Sequence, residues 1–123
     1  MLAELQGVSQ PGGQPGRRRW FADEEMDLII WQSESGALLS FQLCYDKTGF
    51  ERAFSWKDGA PPTHAAVDQG EDLPTDNRSP VLLPDGRPPL AAVVADFRRR
   101  AVGLDAGLVA RVVAVLEAFR PGA

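Results

Sequence analysis

The sequence predicts an α+β fold in which a three- to four-stranded antiparallel β-meander is followed by two C-terminal helices packed on one face of the sheet. Between residues 27 and 67, apolar residues recur at every second position in short runs that turn residues separate. From residue 90 onward the apolar spacing changes to three and four residues, which is typical of a helix with one buried face. The connections between the strand runs are too short for a crossover helix, so neighbouring strands are expected to be antiparallel.

Length and composition indicate one globular domain. The chain has 123 residues, of which 44% are hydrophobic and 24% are charged, and these values are those of an ordinary folded domain. We expect residues 19–123 to form that domain. Residues 1–18 are expected to be a flexible N-terminal tail, because the stretch from 7 to 16 is rich in Gly, Pro and Gln and offers no apolar face to offset the entropy lost on ordering.

Four runs carry the strand pattern. Residues 27–34 are apolar on both sides, and residues 51–57 and 63–67 are shorter runs that follow turns at Asp46–Gly49 and Lys57–Gly59. The run at 38–46 alternates cleanly, which predicts one buried and one outward side. On the buried side we expect Leu39, Phe41, Leu43 and Tyr45, and on the outward side Ser40, Gln42, Cys44 and Asp46.

Two helices are expected after a proline-rich acidic segment at residues 68–89. The first has an apolar face made by Leu90, Val93, Val94, Phe97 and Ala101. Its last turn carries Arg98, Arg99 and Arg100, which favour the negative end of the helix dipole. Asp105 is the predicted N-cap of the second helix, whose broad apolar arc indicates contact with two surfaces.

Charge and composition bear on compartment and partners. The only cysteine, Cys44, excludes an intramolecular disulfide, and the N-terminus carries no basic signal-peptide region, so we expect a cytoplasmic protein. No apolar run approaches the roughly 20 residues that a membrane helix needs. The net charge of −4 is concentrated between residues 64 and 86, which argues against nucleic acid as a partner. An alternative is that the Arg17–Arg19 run and nearby tryptophans bind single-stranded nucleic acid by stacking. The negative net charge of the chain disfavours this alternative.

No motif specifies a reaction, and three residues are weak catalytic candidates: Cys44, His64 and Asp46. A nucleophilic thiol needs a base close to it, and His64 is the only histidine. The structural alternative is an inert strand cysteine and a surface histidine. One histidine beside the carboxylate of Asp68 provides too few nitrogen or sulfur ligands for a transition metal, so we expect no metal and no cofactor.

Three stretches give the chain a resemblance to known sequences: Arg19–Phe21, Asp27–Trp31 and Phe41–Lys47. Over about residues 19 to 90 it resembles a group of small bacterial proteins of unknown function. The resemblance implies a stand-alone bacterial domain and implies no activity, cofactor or partner.

The functional expectation is a non-enzymatic cytoplasmic domain that acts through a protein partner or as a homodimer. Two helices cover only one face of such a sheet, and the run at 27–34 places large apolar side chains on both faces. The pair of large apolar side chains on the face without helices would be covered by Trp20, Phe21 and Val81–Leu83, or by a second subunit. The alternative is a small enzyme or ligand-binding domain with its site on the outward sheet face near Cys44, Asp46 and His64.

Overall fold

The computed structural model describes residues 1–10, 16–49, 51–66 and 90–119. Within these residues it contains one antiparallel sheet of six strands, which lie side by side in chain order, and two helices. The strands are β1 (Ala3–Glu4), β2 (Arg17–Ala22), β3 (Asp27–Gln32), β4 (Leu38–Tyr45), β5 (Arg52–Lys57) and β6 (Thr63–Ala66). The helices are α1 (Leu90–Arg100) and α2 (Ala106–Ala118).

The α+β class and the antiparallel order are as predicted, but the expected strand count of three to four was wrong. Strands β3 to β6 are the four predicted runs, and β1 and β2 add two more at the N-terminal edge. Residues 3–4 and 17–18, which were assigned to the flexible tail, lie in these strands, and Leu2 is only 3% exposed. The mobility of the N-terminal segment in solution stays a prediction.

The register between β3 and β4 defines the two faces of the sheet. Leu28 lies opposite Leu43 and Ile30 lies opposite Phe41, and none of these four side chains is more than 1% exposed. A β-bulge between β3 and β4 turns Leu38 into the core, where Leu39 was expected. The bulge shifts the alternation at the start of β4, and no residue pattern marked its position.

One hydrophobic core contains residues from the helices and from a single face of the sheet. We call this the inner face, and its core members are Phe21, Leu28, Ile30, Leu38, Phe41, Leu43, Tyr45 and Phe54. The helices contribute Val93, Val94, Phe97, Leu108, Val112, Val113 and Leu116 to the same cluster. Phe119, just after α2, meets the Phe54 ring edge-on at a centroid distance of 5.2 Å.

The opposite side of the sheet, the outer face, carries the other half of each strand's side chains. Its members on β2 to β5 include Trp20, Ile29, Trp31, Ser40, Gln42, Cys44, Ala53 and Ser55. Trp20 and Phe21 were expected to fold back over the sheet. They are instead adjacent residues of β2 that point to opposite faces. Val81–Leu83 lie outside the described residues.

Two local signals are confirmed, the N-cap of α2 and the Asp–Gly turn after β5. Asp105 caps α2 by accepting a hydrogen bond from the backbone N–H of Leu108 at 2.9 Å. Gly59 has a φ of 88°, as the Asp–Gly hairpin signal requires. In the β4–β5 turn the left-handed residue is Asp46, with a φ of 57°, and not Gly49.

The face assignment predicts different costs for two neighbouring truncations in β4. Leu43→Ala removes a fully buried side chain from the core and is expected to lower the free energy of unfolding by about 2–5 kcal/mol. Cys44→Ala, on the outer face, is expected to cost less than about 1 kcal/mol, because only one small atom is lost. Urea unfolding of both variants measures the difference, and a larger cost at Cys44 would contradict the register.

Candidate functional site

The structure separates two of the three candidate catalytic residues. Cys44 lies on the outer face, where its register neighbours are Asp27 and Ala53. His64 lies on the inner face, opposite Phe54 in the β5–β6 pair. Asp46 is exposed in the turn after β4, with its carboxylate 4.0 Å from the guanidinium of Arg52. Because the sheet stands between Cys44 and His64, these two side chains do not form a nucleophile and its base.

His64 instead forms a buried polar pair with Tyr45. The Tyr45 hydroxyl and His64 Nε2 are 2.5 Å apart, and the two rings stack with centroids 5.8 Å apart. His64 is 7% exposed, and its Nδ1 has no hydrogen-bond partner in the part of the chain that the structure describes. Sequence reasoning placed both residues on strands but could not pair them, because the register of β6 is set by its neighbours and not by its own residues.

The environment of this pair favours neutral forms of both groups. Burial, aided by the positive charge of Arg52, lowers the pKa of His64 below its usual range. Burial raises the pKa of the Tyr45 hydroxyl. At neutral pH both groups are therefore uncharged, and the Tyr45 hydroxyl and His64 Nε2 share one hydrogen bond. This arrangement satisfies two polar groups at the edge of the core and leaves the histidine in an uncharged state.

Cys44 has the chemistry of an inert thiol. It is 8% exposed, and burial, together with the negative charges of Glu51 and Asp27, raises its pKa to about 12. At physiological pH almost no thiolate forms, and the thiolate is the species that attacks an electrophile. The outer-face site near Cys44 and Asp46 therefore contains no activated nucleophile.

The described ranges contain neither a cluster of metal ligands nor a helix that could cross a membrane. Among these residues, no group of three or more His, Cys, Asp or Glu side chains is placed to hold a metal ion. Neither α1 nor α2 has the length and apolar character needed to cross a bilayer.

The outer face contains an apolar cluster that we call the tryptophan patch, made by Trp20, Ile29 and Trp31. Trp20 lies directly opposite Ile29, and Trp31 is its diagonal neighbour across the β2–β3 pair. Both tryptophans are half-buried, and each has an indole N–H that is buried without an acceptor among the described residues. Polar side chains border the patch, with Arg18 over the Trp20 ring at 5.8 Å and Gln42 opposite Ile29.

The patch was only partly foreseen from sequence. The apolar residues on both sides of β3 indicated that one pair would lie away from the helices, and the structure shows that this pair is Ile29 and Trp31. The contribution of Trp20 was missed because β2 was missed. The sequence signal for β2 is that Arg19 and Phe21 alternate with Arg18 and Trp20. Three consecutive arginines made this alternation difficult to recognise.

Comparison with known proteins gives no further guide to function. No family model, no curated protein and no solved structure matches this chain.

Native stability is expected to depend on pH through His64. Its pKa is lowered in the folded state, so below about 6.5 the unfolded chain binds a proton that the folded chain does not. The free energy of unfolding should therefore fall as pH drops from 6.5, with a slope of at most roughly 1.4 kcal/mol per pH unit, and level off above 6.5. Urea unfolding between pH 5.5 and 7.5 measures it. His64→Gln should remove the slope in this window, and an unchanged slope would show that another group titrates.

Cys44 is expected to resist alkylation in the folded protein. With a pKa of about 12 and 8% exposure, its reaction with iodoacetamide at pH 8 should be at least about a hundredfold slower than in urea-unfolded chain. Mass spectrometry of timed samples gives both rates. A native rate close to that of the unfolded chain would mean that the thiol is accessible and activated.

Proposed function

We propose that this chain is a non-enzymatic, cytoplasmic protein-interaction domain that binds a protein partner, or a second copy of itself, through the tryptophan patch. The observation that carries the proposal is the grouping of Trp20, Ile29 and Trp31 on the sheet face that turns away from the helix core. Tryptophan is enriched at protein interfaces, where its large ring is buried at low entropic cost.

The indole donors support the same proposal. A buried N–H group without an acceptor costs about 1–3 kcal/mol, and Trp20 and Trp31 each carry one. A partner that brings carbonyl or carboxylate oxygens to the patch offsets this cost if the indole rings turn on binding, because both N–H groups are buried. The bordering side chains of Arg18, Ser40 and Gln42 give the patch an apolar centre and a polar rim, which is the usual anatomy of a protein interface.

The charges on strand β2 favour a protein over nucleic acid as the partner. The Arg19 guanidinium is bound by both carboxylate oxygens of Glu4 at 2.8 Å, and Arg18 donates to the Ser9 backbone and hydroxyl. Glu4 neutralises the charge of Arg19, so this run presents fewer positive charges to a phosphate backbone than three consecutive arginines would.

The alternative of a small enzyme or ligand-binding site near Cys44, Asp46 and His64 gains no support from the geometry. Cys44 and His64 lie on opposite faces, the thiol is not activated, and Asp46 is a solvent-exposed turn residue. The functional proposal therefore concerns binding alone.

A charge placed in the patch tests the proposal. Trp31→Lys is expected to abolish association, because burying an ammonium in an apolar contact is strongly unfavourable. Ser55→Lys, on the same face two strands away, is the matched control and should behave as the wild type. Sedimentation equilibrium at two concentrations detects self-association as a mass that rises toward twice that of the chain.

If the wild-type chain is a monomer, a second measurement tests whether the tryptophan patch is accessible. In Trp56→Phe the remaining tryptophans are Trp20 and Trp31, so acrylamide quenching of the fluorescence reports on the patch alone. A monomer with quenchable tryptophans presents the patch to a different protein, as proposed. A monomer whose tryptophans are shielded from acrylamide has the patch covered within the chain, and that result would refute the proposal.

A further inference from the structure

The N-terminal segment leaves the edge of the sheet before it reaches the start of β2. Strand β1 pairs with β2 in a register that places Ala3 opposite Ala22, and the same register, if continued, would place Gly7 opposite Arg18. Gly7 instead adopts a left-handed φ of 68°, which turns the chain away from β2. On this edge, therefore, no strand of the described residues pairs with β2 at Arg18.

A side-chain carboxamide takes the place of the missing strand residue. The C=O of Trp20 accepts a hydrogen bond from Leu5 N–H, and Arg18, two residues earlier in β2, presents its backbone groups to the same edge. Gln10 Oε1 accepts a hydrogen bond from Arg18 N–H at 2.7 Å, and Gln10 Nε2 donates one to Arg18 C=O at 2.9 Å. A carboxamide has the same donor and acceptor as a peptide group, so Gln10 forms the two bonds that a further strand would form here.

The Arg18 side chain binds the same segment from the opposite direction. Its Nε donates to Ser9 C=O at 3.1 Å and its Nη2 donates to the Ser9 hydroxyl at 2.6 Å, so four hydrogen bonds join residues 9 and 10 to Arg18. All four bonds are exposed to water, where the net gain from each is small, and ordering residues 5–10 costs backbone entropy. The closed arrangement is therefore close in free energy to an open one.

We propose that residues 5–10 form a strap that closes the edge of β2, and that the paired contact of Gln10 with Arg18 is its latch. When the strap opens, the N–H and C=O of Arg18 face solvent at a sheet edge, and such unpaired groups are the ones that pair with strands of other chains. When the strap is closed, Gln10 occupies their place. The strap does not depend on the function proposed above, because it controls the edge of the sheet and not its outer face.

The first test removes the latch and measures amide hydrogen exchange by NMR. Gln10→Ala changes an exposed side chain, so the core stays intact. The Arg18 amide is expected to exchange about tenfold faster than in the wild type, because its acceptor is gone and the strap is open. The amides of Leu28 and Leu43, at the centre of the sheet, should change by less than about twofold. Gln6→Ala, at an exposed glutamine of the same segment, is the matched control and should leave Arg18 unchanged.

The second test keeps one of the two bonds of the latch. In Gln10→Glu the carboxylate still accepts a hydrogen bond from Arg18 N–H, although it cannot donate to Arg18 C=O. The exchange rate of the Arg18 amide should therefore stay within about threefold of the wild-type rate. The heteronuclear NOE of Val8 reports on the strap itself. It should fall to the value of a mobile chain in Gln10→Ala and stay close to the wild-type value in Gln10→Glu.

Three results would overturn the proposal. In the first, the wild-type Arg18 amide exchanges as fast as in an unstructured peptide, which means that the strap is already open. In the second, Gln10→Ala leaves both the Arg18 amide and the Val8 NOE unchanged, which means that another contact holds the segment. In the third, Gln10→Ala speeds exchange at Leu28 and Leu43 as much as at Arg18. The side chain would then stabilise the whole domain, and no separate strap would exist.

Discussion

The pairing of β3 with β4 is the constraint on which the rest of this structure depends. Leu28 against Leu43 and Ile30 against Phe41 form the centre of the core, and a shift of one residue would expose all four. The residues of the outer face follow from the same register, because side chains alternate along each strand outside the bulge. Because Leu28 and Ile30 are buried on the inner face, Ile29 and Trp31 lie on the outer face.

A buried ion pair ties the helices to this sheet at one corner. The Asp23 carboxylate, in the β2–β3 turn, accepts backbone N–H bonds from Glu25 and Met26 and pairs with Arg100 at 2.9 Å. These donors outweigh the burial of the group, whose side chain is 2% exposed, and lower its pKa to about 2. Arg100 ends α1 and also pairs with Asp96, so the helix C-terminus is held against the turn. Such a contact fixes orientation more than it adds stability, because desolvation offsets much of the attraction.

The two faces of the sheet differ in chemistry. On the inner face, the buried His64 is hydrogen-bonded to Tyr45 and stays neutral. The outer face carries two buried indole donors that have no acceptor among the described residues. The large apolar side chains that lie away from the core are thus on the outer face, while Cys44 and His64 are separated by the sheet.

The sequence by itself determined the elements whose signals are local. The alternation of Phe41, Leu43 and Tyr45 predicted β4, the helical spacing of Val93, Val94 and Phe97 predicted α1, and Asp105 predicted the start of α2, because each pattern is a property of neighbouring residues. Only the tertiary structure decided that Trp20 completes a patch with Trp31, that His64 meets Tyr45 and that Cys44 stands apart from both. Those relations depend on strand register and on a bulge, and register is settled by how several strands bury one shared core, which no single stretch of residues encodes.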